Sequence, residues 1–386
     1  MNRTIVVLNL LIVGLGIGVP SPAQTATQEN PSLVLMREAW KRASVHGATH
    51  RPVLSPNYPD VFTGLVPIEE LHREGFRVLP GTTSDEKELR ALIKAGADGM
   101  ITDRPDVLKR IVAEELSIAS DVDTKARLER FDIQGHRGAR GLRPENTLPA
   151  YEQALDLGIS TIELDTGVTS DKVSSVWHDQ FLNPRSCRRV DGSQYGKENQ
   201  VYFYDVQMAD LQKDFICDKT YFSPEQKNDR SLSPVAAAFS KQQGMPDPYS
   251  PVSLDQVFRF VRFYEEYYSS GQGSRRPEAG PRVSSAQRIR FDIETKLIPD
   301  FLPKDFSHPT PVYRTTNHTA APLDFVEVIL KTIRSNKMES RCEIESFDFR
   351  TLRLIEETAP EIPTYYLTGN RQLFPQPSAI SDRPTK

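Results

Sequence analysis

The sequence predicts an α/β fold built on a parallel sheet, and two observations predict it. A strand-like run, a helix-like run and a second strand-like run follow one another at 131–134, 148–155 and 161–165, which is the order of a βαβ unit. Polar residues stand where the strand-like runs end, and parallel α/β folds place their chemistry there. The helix has signals at both ends, since Asn146 or Thr147 can cap its first turn and Gly158 can close it.

The polar residues at the strand ends form a set that suits phosphate chemistry. Glu163 and Asp165 lie two residues apart on one strand, so both carboxylates point to the same face. If that face is the interior of a barrel, two like charges there are unfavourable without a cation. His136 and His178 end two further segments, and Arg137 adds a fixed positive charge. Carboxylates for a hard metal, imidazoles for proton transfer and a guanidinium for an anion together suit phosphate-ester cleavage.

The order and spacing of five short motifs resemble those of the glycerophosphodiester phosphodiesterase family. The motifs are H-R-G at 136–138, P-E-N-T at 144–147, E-L-D at 163–165, T-S-D at 169–171 and H-D at 178–179. The resemblance implies a (β/α)8 barrel of the TIM type. It also implies metal-dependent hydrolysis of glycerophosphodiesters to glycerol 3-phosphate and an alcohol.

A later strand, 288–296, resembles the N-I-E-x-K strand of the same family. The resemblance makes Glu294 the third metal carboxylate beside Glu163 and Asp165, and places Lys296 near the phosphate with Arg137. Oxygen ligands favour one divalent cation, Ca²⁺ or Mg²⁺, over zinc. The implied acid–base pair is His136 and His178, and the supporting residues are Glu145, Asn146 and Glu345.

Three positions depart from the family pattern. The run 81–84 (Gly-Thr-Thr-Ser) stands where the family often has W-T-V-N, whose tryptophan is thought to line the glycerol pocket. Lys172 replaces a glycine at a turn that can require a positive φ. Glu345 replaces a glutamine and adds a negative charge near the phosphate site. None of the three removes a proposed catalytic group, although the first could alter the choice of substrate.

The segments before residue 117 resemble the last strands of the family's barrel, although they precede the catalytic motifs in this chain. D-G-M-I-T-D-R-P at 98–105 resembles the final strand and its end, and S-P-N-Y at 55–58 and R-V-L-P at 77–80 resemble what comes just before it. We therefore predict a circularly permuted barrel over 24–368, with the last strands in 24–116 and the first in 131–368. Met100–Thr102 should lie beside Ile133–Gly135, and Thr364–Leu367 beside the strand that opens the N-terminal part. The alternative is an unrelated N-terminal domain followed by a truncated barrel.

The segments that connect the strands are predicted to be less regular in structure than the strands themselves. Residues 117–130 read as a charged linker, 180–250 as a loop-rich insertion after His178, 271–287 as a mobile loop and 369–386 as a flexible tail. The 12 residues between Asp165 and His178 are too few for a crossover helix, so that junction should be irregular or hairpin-like. Cys187 and Cys217 fall in the same insertion and can form a disulfide, whereas Cys342 reads as a buried thiol.

The first 23 residues read as a signal peptide. Arg3 supplies the positive charge, an apolar core follows from Ile5 to Val19, and small residues precede a cleavage site near Ala23. The alternative is an uncleaved anchor. We expect a secreted or periplasmic protein with no membrane span after cleavage, since no later segment is apolar enough. A net charge of −4 with interspersed signs gives no reason to expect a nucleic-acid partner.

The preferred interpretation is a glycerophosphodiesterase that acts on a small-molecule substrate. Two alternatives stay open. One is a lysophospholipid or sphingolipid phosphodiesterase of the related phospholipase-D-like type, which product analysis would separate. The other is a non-catalytic barrel that binds a phosphodiester, although binding alone would not need both histidines. The sequence specifies neither the alcohol headgroup nor the oligomeric state.

Overall fold

The computed structural model describes residues 29–300 and 317–369. The predicted signal peptide and all but the first residue of the predicted tail lie outside the described residues. Within the described ranges, no helix has both the length and the apolar character that crossing a bilayer requires.

Eleven strands occur in the described residues. They are β1 (Val53–Pro56), β2 (Gly99–Thr102), β3 (Asp132–Gly135), β4 (Thr161–Val168), β5 (Ser174–Val176), β6 (Arg188–Arg189), β7 (Phe215–Ile216), β8 (Val252–Ser253), β9 (Arg290–Thr295), β10 (Cys342–Ser346) and β11 (Thr364–Thr368).

The same residues form thirteen α-helices and four short 3-10 helices. The α-helices are α1 (Pro31–Val45), α2 (Tyr58–Val61), α3 (Ile68–Arg73), α4 (Glu86–Lys94), α5 (Pro105–Ile118), α6 (Val122–Glu129), α7 (Leu148–Leu157), α8 (Met208–Asp214), α9 (Pro234–Gln242), α10 (Leu254–Ser269), α11 (Ala279–Arg288), α12 (Pro322–Ser335) and α13 (Phe349–Thr358). The 3-10 helices are Lys197–Asn199, Phe203–Asp205, Arg230–Leu232 and Glu339–Arg341.

Seven parallel strands form the main sheet in the order β1-β11-β10-β9-β4-β3-β2. The segment 77–81 lies between the two outer strands of this order and bonds to both. On one side Leu54 N donates to Arg77 O at 3.0 Å and Gly81 N donates to Pro56 O at 3.0 Å. On the other side Asp98 N donates to Val78 O at 3.0 Å. Eight parallel segments with outer helices therefore form a TIM-type α/β barrel, as the sequence predicts.

The N-terminal strands pair with the strands that the permutation hypothesis requires. β2 runs parallel to β3, with Met100 opposite Ile133 and Thr102 opposite Gly135. β1 runs parallel to β11, with Val53 opposite Tyr365. Both parts of the chain thus contribute to one sheet, and neither is left with an open edge at these positions. The permuted order relative to other proteins, and the domain boundaries, stay predictions.

Side chains alternate between the helices and the barrel interior along the central strands. Phe291 of β9 faces outward, and its ring centroid lies 5.0 Å from that of Phe258 on α10. Gln134 of β3 points inward and reaches Glu343 of β10 across the barrel at 3.2 Å. Arg290 bridges Glu343 and Asp132 at 2.9 and 2.6 Å. The lower interior is therefore a polar layer beneath the strand ends, in which ion pairs offset part of the negative charge.

The junction between Asp165 and His178 is a β-hairpin, in agreement with the irregular course expected there. β4 and β5 pair antiparallel, with Val168 opposite Ser174, and the turn between them contains Lys172 at a φ of 57°. Lys172 therefore adopts the left-handed conformation that a glycine would adopt more easily. Because the chain turns back at once, His178 returns to the end of the strand that carries Asp165, and Trp177 N donates to Asp165 O at 3.0 Å.

Two predicted irregular segments are helical, and these predictions were wrong. The expected linker 117–130 contains α6, which begins where the Asp121 side chain accepts from the backbone N–H groups of Asp123 and Thr124. The expected loop 271–287 contains the first nine residues of α11, whose buried Ser285 donates to Leu155 O at 2.8 Å. In α11, tertiary packing overrides the low helix propensity of a stretch rich in glycine and serine.

The insertion after His178 contains a small core of its own, which includes Trp177, Phe203 and Leu211. Cys187 and Cys217 form a disulfide within it, and β6 and β7 pair beside this bond. Two of its segments are α-helical in addition to the 3-10 turns, namely α8 and α9. Cys342 is a free and buried thiol in β10.

Candidate active site

The carboxyl ends of β2, β3, β4, β9 and β10 bring most of the predicted site residues together. Thr147 caps α7 with its side chain and Gly158 closes that helix at a φ of 62°, which fixes the loop 136–146 between β3 and α7. Gly135 allows the loop to turn back tightly, because a Cβ there would lie 2.0 Å from Gly138 O.

Three buried carboxylates converge at the centre of this site. Glu163, Glu294 and Glu345 each place one oxygen within 4.8 Å of the other two. Their exposed fractions are 1%, 7% and 2%. Glu163 Oε1 and Glu345 Oε2 have no hydrogen-bond partner among the described residues. Three carboxylates so placed in a low-dielectric interior repel one another strongly.

The pKa values of these carboxyls show the same repulsion. Burial and the neighbouring Asp165 raise the pKa of Glu163 well above its ordinary value. Burial raises the pKa of Glu345 in the same way, together with the nearby carboxylates of Asp292 and Glu163. Burial raises the pKa of Glu294 to about 7 although the Lys296 ammonium opposes the shift. A divalent cation would relieve all three shifts, and oxygen ligands of this kind fit Ca²⁺ or Mg²⁺.

Asp165 lies beside these three carboxylates, but it is surrounded by hydrogen-bond donors and cations. Asn146 donates to its Oδ2 at 2.8 Å, and Arg137 Nε lies 3.1 Å from the same oxygen. Lys296 Nζ lies 3.5 Å from Oδ1, which has no hydrogen-bond partner among the described residues. Arg137 and the other nearby cations hold the pKa of Asp165 well below its ordinary value, against the effect of burial. Oδ1 is therefore a charged oxygen that a cation could share, and its role as a ligand stays a prediction.

Arg137 is fixed in place by contacts from its backbone and its side chain. Its backbone N–H donates to Glu163 Oε2 at 2.6 Å, at a φ of 51°. Its guanidinium donates to Glu145 Oε1 at 3.0 Å and pairs with Asp165. Lys296 stands across the site, with its Nζ 2.7 Å from Glu294 Oε1. Two cations thus flank the carboxylates, where a phosphate group would need them.

Each predicted catalytic histidine has a carboxylate at its Nδ1. His136 Nδ1 lies 2.6 Å from Asp103 Oδ1, and its Nε2 lies 3.9 Å from Glu163 Oε2. His178 Nδ1 lies 2.7 Å from Asp179 Oδ1, and Asn183 donates to the other oxygen of Asp179 at 3.0 Å. A carboxylate at Nδ1 favours the tautomer with its proton there and leaves Nε2 as the basic nitrogen.

Both imidazoles are less basic than a histidine in water. Burial and the charges of Arg137 and Lys296 lower the pKa of His178 to about 4. Burial also lowers the pKa of His136, although the Asp103 carboxylate opposes this effect. Both rings are therefore neutral near neutral pH.

Asp103 is a residue of this site that sequence reasoning missed. Its motif T-D-R-P was assigned to a strand end without any role for the carboxylate. The predicted pairing of β2 with β3 could have found it, because Thr102 lies opposite Gly135 and the next residue on each strand is then Asp103 and His136. Arg140 was missed as well; it pairs with Glu145, and its guanidinium lies 3.8 Å from the centroid of the Phe222 ring.

The run 81–84, which the sequence resemblance sets against the family's tryptophan, lies beside the end of β2. Thr83 O accepts from the Thr102 hydroxyl at 2.7 Å, and the Ser84 hydroxyl lies 3.5 Å from the same oxygen of Thr102. Aromatic side chains reach the site from the insertion instead. Tyr221 lies close enough to Glu145, Arg140 and Arg137 for their charges to affect its pKa, which burial raises.

A family model and several curated relatives match parts of this sequence. The model of the "Glycerophosphoryl diester phosphodiesterase family" matches residues 136–380, which is more than half of the chain. YhdW of Bacillus subtilis is 31% identical over 115 residues, or 29% of this chain and 42% of that protein. A "Glycerophosphodiester phosphodiesterase" of Bacillus altitudinis is 49% identical over 51 residues, or 13% of this chain and 21% of that protein. The matches thus span less than half of these relatives.

Solved structures give weaker likenesses. A crystal structure from Silicibacter pomeroyi aligns with a TM-score of 0.44 at 20% identity and covers 65% of this chain and 68% of that one. A phosphodiesterase of Oleispira antarctica, solved with the product sn-glycerol-3-phosphate, aligns with a TM-score of 0.36 at 15% identity and covers 60% and 64%. The fold assignment therefore rests on the strand order of the chain itself. The family assignment rests on the match over residues 136–380, and the chain belongs to the glycerophosphoryl diester phosphodiesterase family.

Proposed function

We propose that this protein hydrolyses glycerophosphodiesters to glycerol 3-phosphate and an alcohol, and that it needs a divalent cation. One observation carries the proposal: buried carboxylates, two flanking cations and two carboxylate-held imidazoles converge at the same strand ends. A binding site for an anion alone would not need both imidazoles.

The residues that would hold the cation are Glu163, Asp165 and Glu294. Glu163 Oε1 and Asp165 Oδ1 have no hydrogen-bond partner among the described residues, so each can donate a lone pair without breaking a hydrogen bond. When bound, Ca²⁺ or Mg²⁺ would polarise the phosphoryl group and lower the pKa of the attacking hydroxyl.

Arg137 and Lys296 would bind the phosphate oxygens and stabilise the charge that develops on them. Arg137 is suited to this role because Glu145, Asp165 and its own backbone contact hold it in one position. Pre-arranged donors of this kind need no reorganisation during the reaction, which is why they contribute to the rate.

His136 would accept the proton of the attacking hydroxyl on Nε2, and His178 would give a proton to the leaving oxygen. Asp103 would orient His136 and stabilise the imidazolium that forms. The negative charge of the phosphodiester opposes Arg137 and Lys296, so its binding would raise the low pKa of His178 and let that ring take up a proton. In the order implied by the family, the glycerol 2-hydroxyl attacks first and water then opens the cyclic phosphate, with the two histidines exchanging roles.

We also propose that the protein is exported, with the barrel over 24–368 as one domain. The disulfide between Cys187 and Cys217 supports an oxidising compartment. Sequencing the N-terminus of the protein recovered from the extracellular or periplasmic fraction tests the cleavage near Ala23. A mature protein that keeps residues 1–23 would contradict the proposal.

Release of glycerol 3-phosphate from a panel of glycerophosphodiesters tests the activity directly. We expect turnover that is lost on treatment with a chelator and restored by Ca²⁺ or Mg²⁺. His178→Ala should lose activity, whereas His72→Ala should keep it. His72 is a suitable control because its Nε2 lies 2.9 Å from Asp98 Oδ2, in a comparable histidine–carboxylate pair that is not part of the site. Full turnover in chelator-treated protein would contradict metal dependence.

The phospholipase-D-like alternative stays open because small polar residues replace the tryptophan at 81–84. A larger lipid substrate could occupy the space that the indole would fill. The two functions differ in their product on lysophospholipids. A cyclic phosphate that accumulates without hydrolysis would favour the alternative over the proposal.

A further inference from the structure

We propose that Glu345 is a direct ligand of the bound cation, in addition to the three carboxylates that the family resemblance supplies. The inference rests on the proposed function only in requiring that the site bind a divalent cation. Nothing in the family pattern gives Glu345 this role, because the family usually has an uncharged glutamine at that position.

The strand register places Glu345 beside the metal carboxylates. β9 lies between β4 and β10 in the sheet. Asp165 is opposite Glu294 on one side, and Glu345 is opposite Glu294 on the other. Neighbouring strands lie about 4.8 Å apart, so these three side chains form a row across three strands at one level of the barrel. Glu163 stands one inward-facing position below Asp165 on β4.

The side chains then complete a triangle of oxygens. Glu345, Glu294 and Glu163 each bring one carboxylate oxygen within 4.8 Å of the other two. That separation is what a single ion can bridge, since Ca²⁺–oxygen and Mg²⁺–oxygen distances are about 2.0–2.6 Å.

A second, independent observation indicates that this triangle of carboxylate oxygens binds a cation. Glu345 is 2% exposed and Glu163 is 1% exposed, and Glu345 Oε2 and Glu163 Oε1 have no hydrogen-bond partner among the described residues. A buried carboxylate oxygen without a partner is costly, and here two such oxygens belong to side chains that converge on one point. A cation between them supplies the missing contact.

The other buried glutamate of β10 shows what a structural carboxylate looks like in this barrel. Glu343 lies two residues before Glu345 and points into the same interior. Its oxygens accept from Gln134 at 3.2 Å and from Arg290 at 2.9 Å. Glu343 therefore serves as a matched control, since it shares the strand, the face and the burial of Glu345 but not the triangle.

Replacing Glu345 with glutamine removes one negative charge and keeps an oxygen in place. We expect Glu345→Gln to weaken the binding of Ca²⁺ and Mg²⁺ by at least about tenfold, the low end of what even an outer partner of a metal ligand contributes. Glu343→Gln should leave both affinities within about twofold, since Arg290 keeps a second partner in Asp132 at 2.6 Å.

The metal-free proteins provide a signature that a purely structural residue would not give. Removing a charge from a repelling cluster should raise the melting temperature of metal-free Glu345→Gln above that of the wild-type protein. Adding cation should then raise the melting temperature of the variant by less than that of the wild type. If Glu345 only supported the fold, the variant would melt at a lower temperature without metal and would gain as much from the cation.

The experiment titrates chelator-treated full-length protein with CaCl₂ and with MgCl₂ by calorimetry, and measures glycerol 3-phosphate release in parallel. Unchanged affinity in Glu345→Gln, in a protein whose hydrolysis still needs the cation, overturns the inference and leaves the proposed function standing. Weakened affinity in a protein that hydrolyses no phosphodiester supports the inference and overturns the proposed function. A wild-type protein that binds neither cation overturns both.

Discussion

Replacing Asp103 with asparagine should slow the reaction and shift its pH dependence in a direction that the structure specifies. Asparagine keeps the shape of the side chain but removes the charge that lies 2.6 Å from His136 Nδ1. A hydrogen bond to a charged group contributes about 1.5–3 kcal/mol. Because each 1.36 kcal/mol is a factor of ten in rate, kcat/KM should fall about 10- to 150-fold if this bond strengthens as the imidazolium forms.

The direction of the pH shift follows from the charge that is lost. The Asp103 carboxylate raises the pKa of His136 against the lowering effects of burial and Arg137. Without that carboxylate the pKa of His136 falls further. If His136 is the base, the acid limb of kcat/KM therefore moves to lower pH, while the plateau drops because the ring is a weaker base.

The assay is kcat/KM for glycerol 3-phosphate release across the pH range at saturating cation. Asp106→Asn is the matched control, since Asp106 lies three residues along the same segment and pairs with Arg104 at 2.7 Å rather than with a histidine. Asp106→Asn should keep both the wild-type plateau of kcat/KM and the pH at which its acid limb falls. A fall in the plateau of Asp103→Asn with no movement of the limb would mean that Asp103 only supports the loop, and a plateau within twofold of the wild type would refute the reasoning altogether.

Three further perturbations have defined outcomes. His178→Ala should lower kcat by about 10²- to 10⁴-fold, with nitrophenyl esters partly spared because their leaving group needs no proton; equal losses for nitrophenyl and choline esters would exclude that role. Burial raises the pKa of Glu152 from 4.5 to about 8, so the folded protein retains a proton that the unfolded chain releases above pH 4.5. Glu152 should therefore lower the free energy of unfolding as the pH rises from about 4.5 to 8, by a few kcal/mol at about 1.4 kcal/mol per pKa unit. Urea titrations of Glu152→Gln should show a shallower fall than the wild type, and the part due to Glu294 and the other buried carboxyls should remain. Deleting residues 24–116 should give an insoluble and inactive product, since it removes the strands next to β3 and β11; a soluble, active fragment from Ser117 would show a separate module.

The sequence predicted the strands and most of the site because each carries a local signal. Alternating polar residues on 288–296 place Glu294 and Lys296 on one face whatever surrounds them, and the structure brings both to the site. The capping threonine and the closing glycine of α7 are likewise readable within one helix.

What the sequence did not predict depends on contacts between distant segments. α11 forms in a stretch rich in glycine, serine and arginine because α7 and α10 offer it a surface to pack on. Asp103 becomes a partner of His136 only when two strands 33 residues apart lie side by side. The pairing of Asp165 with Arg137 and Asn146 also depends on the path of the loop 136–146, which no residue pattern specifies.

The pairing of the first strand with the last has a consequence for how the barrel folds. Val53 lies opposite Tyr365, so this contact joins residues 312 positions apart in the chain. Contacts of such long range close the largest loops and slow folding. The ring cannot close before the final strand has been synthesised, and until then β1 keeps one unpaired edge. Because the barrel closes late, the chain stays unfolded for longer, which suits the proposed export. The C-terminal strand β11 is the last strand that the barrel needs before it can close.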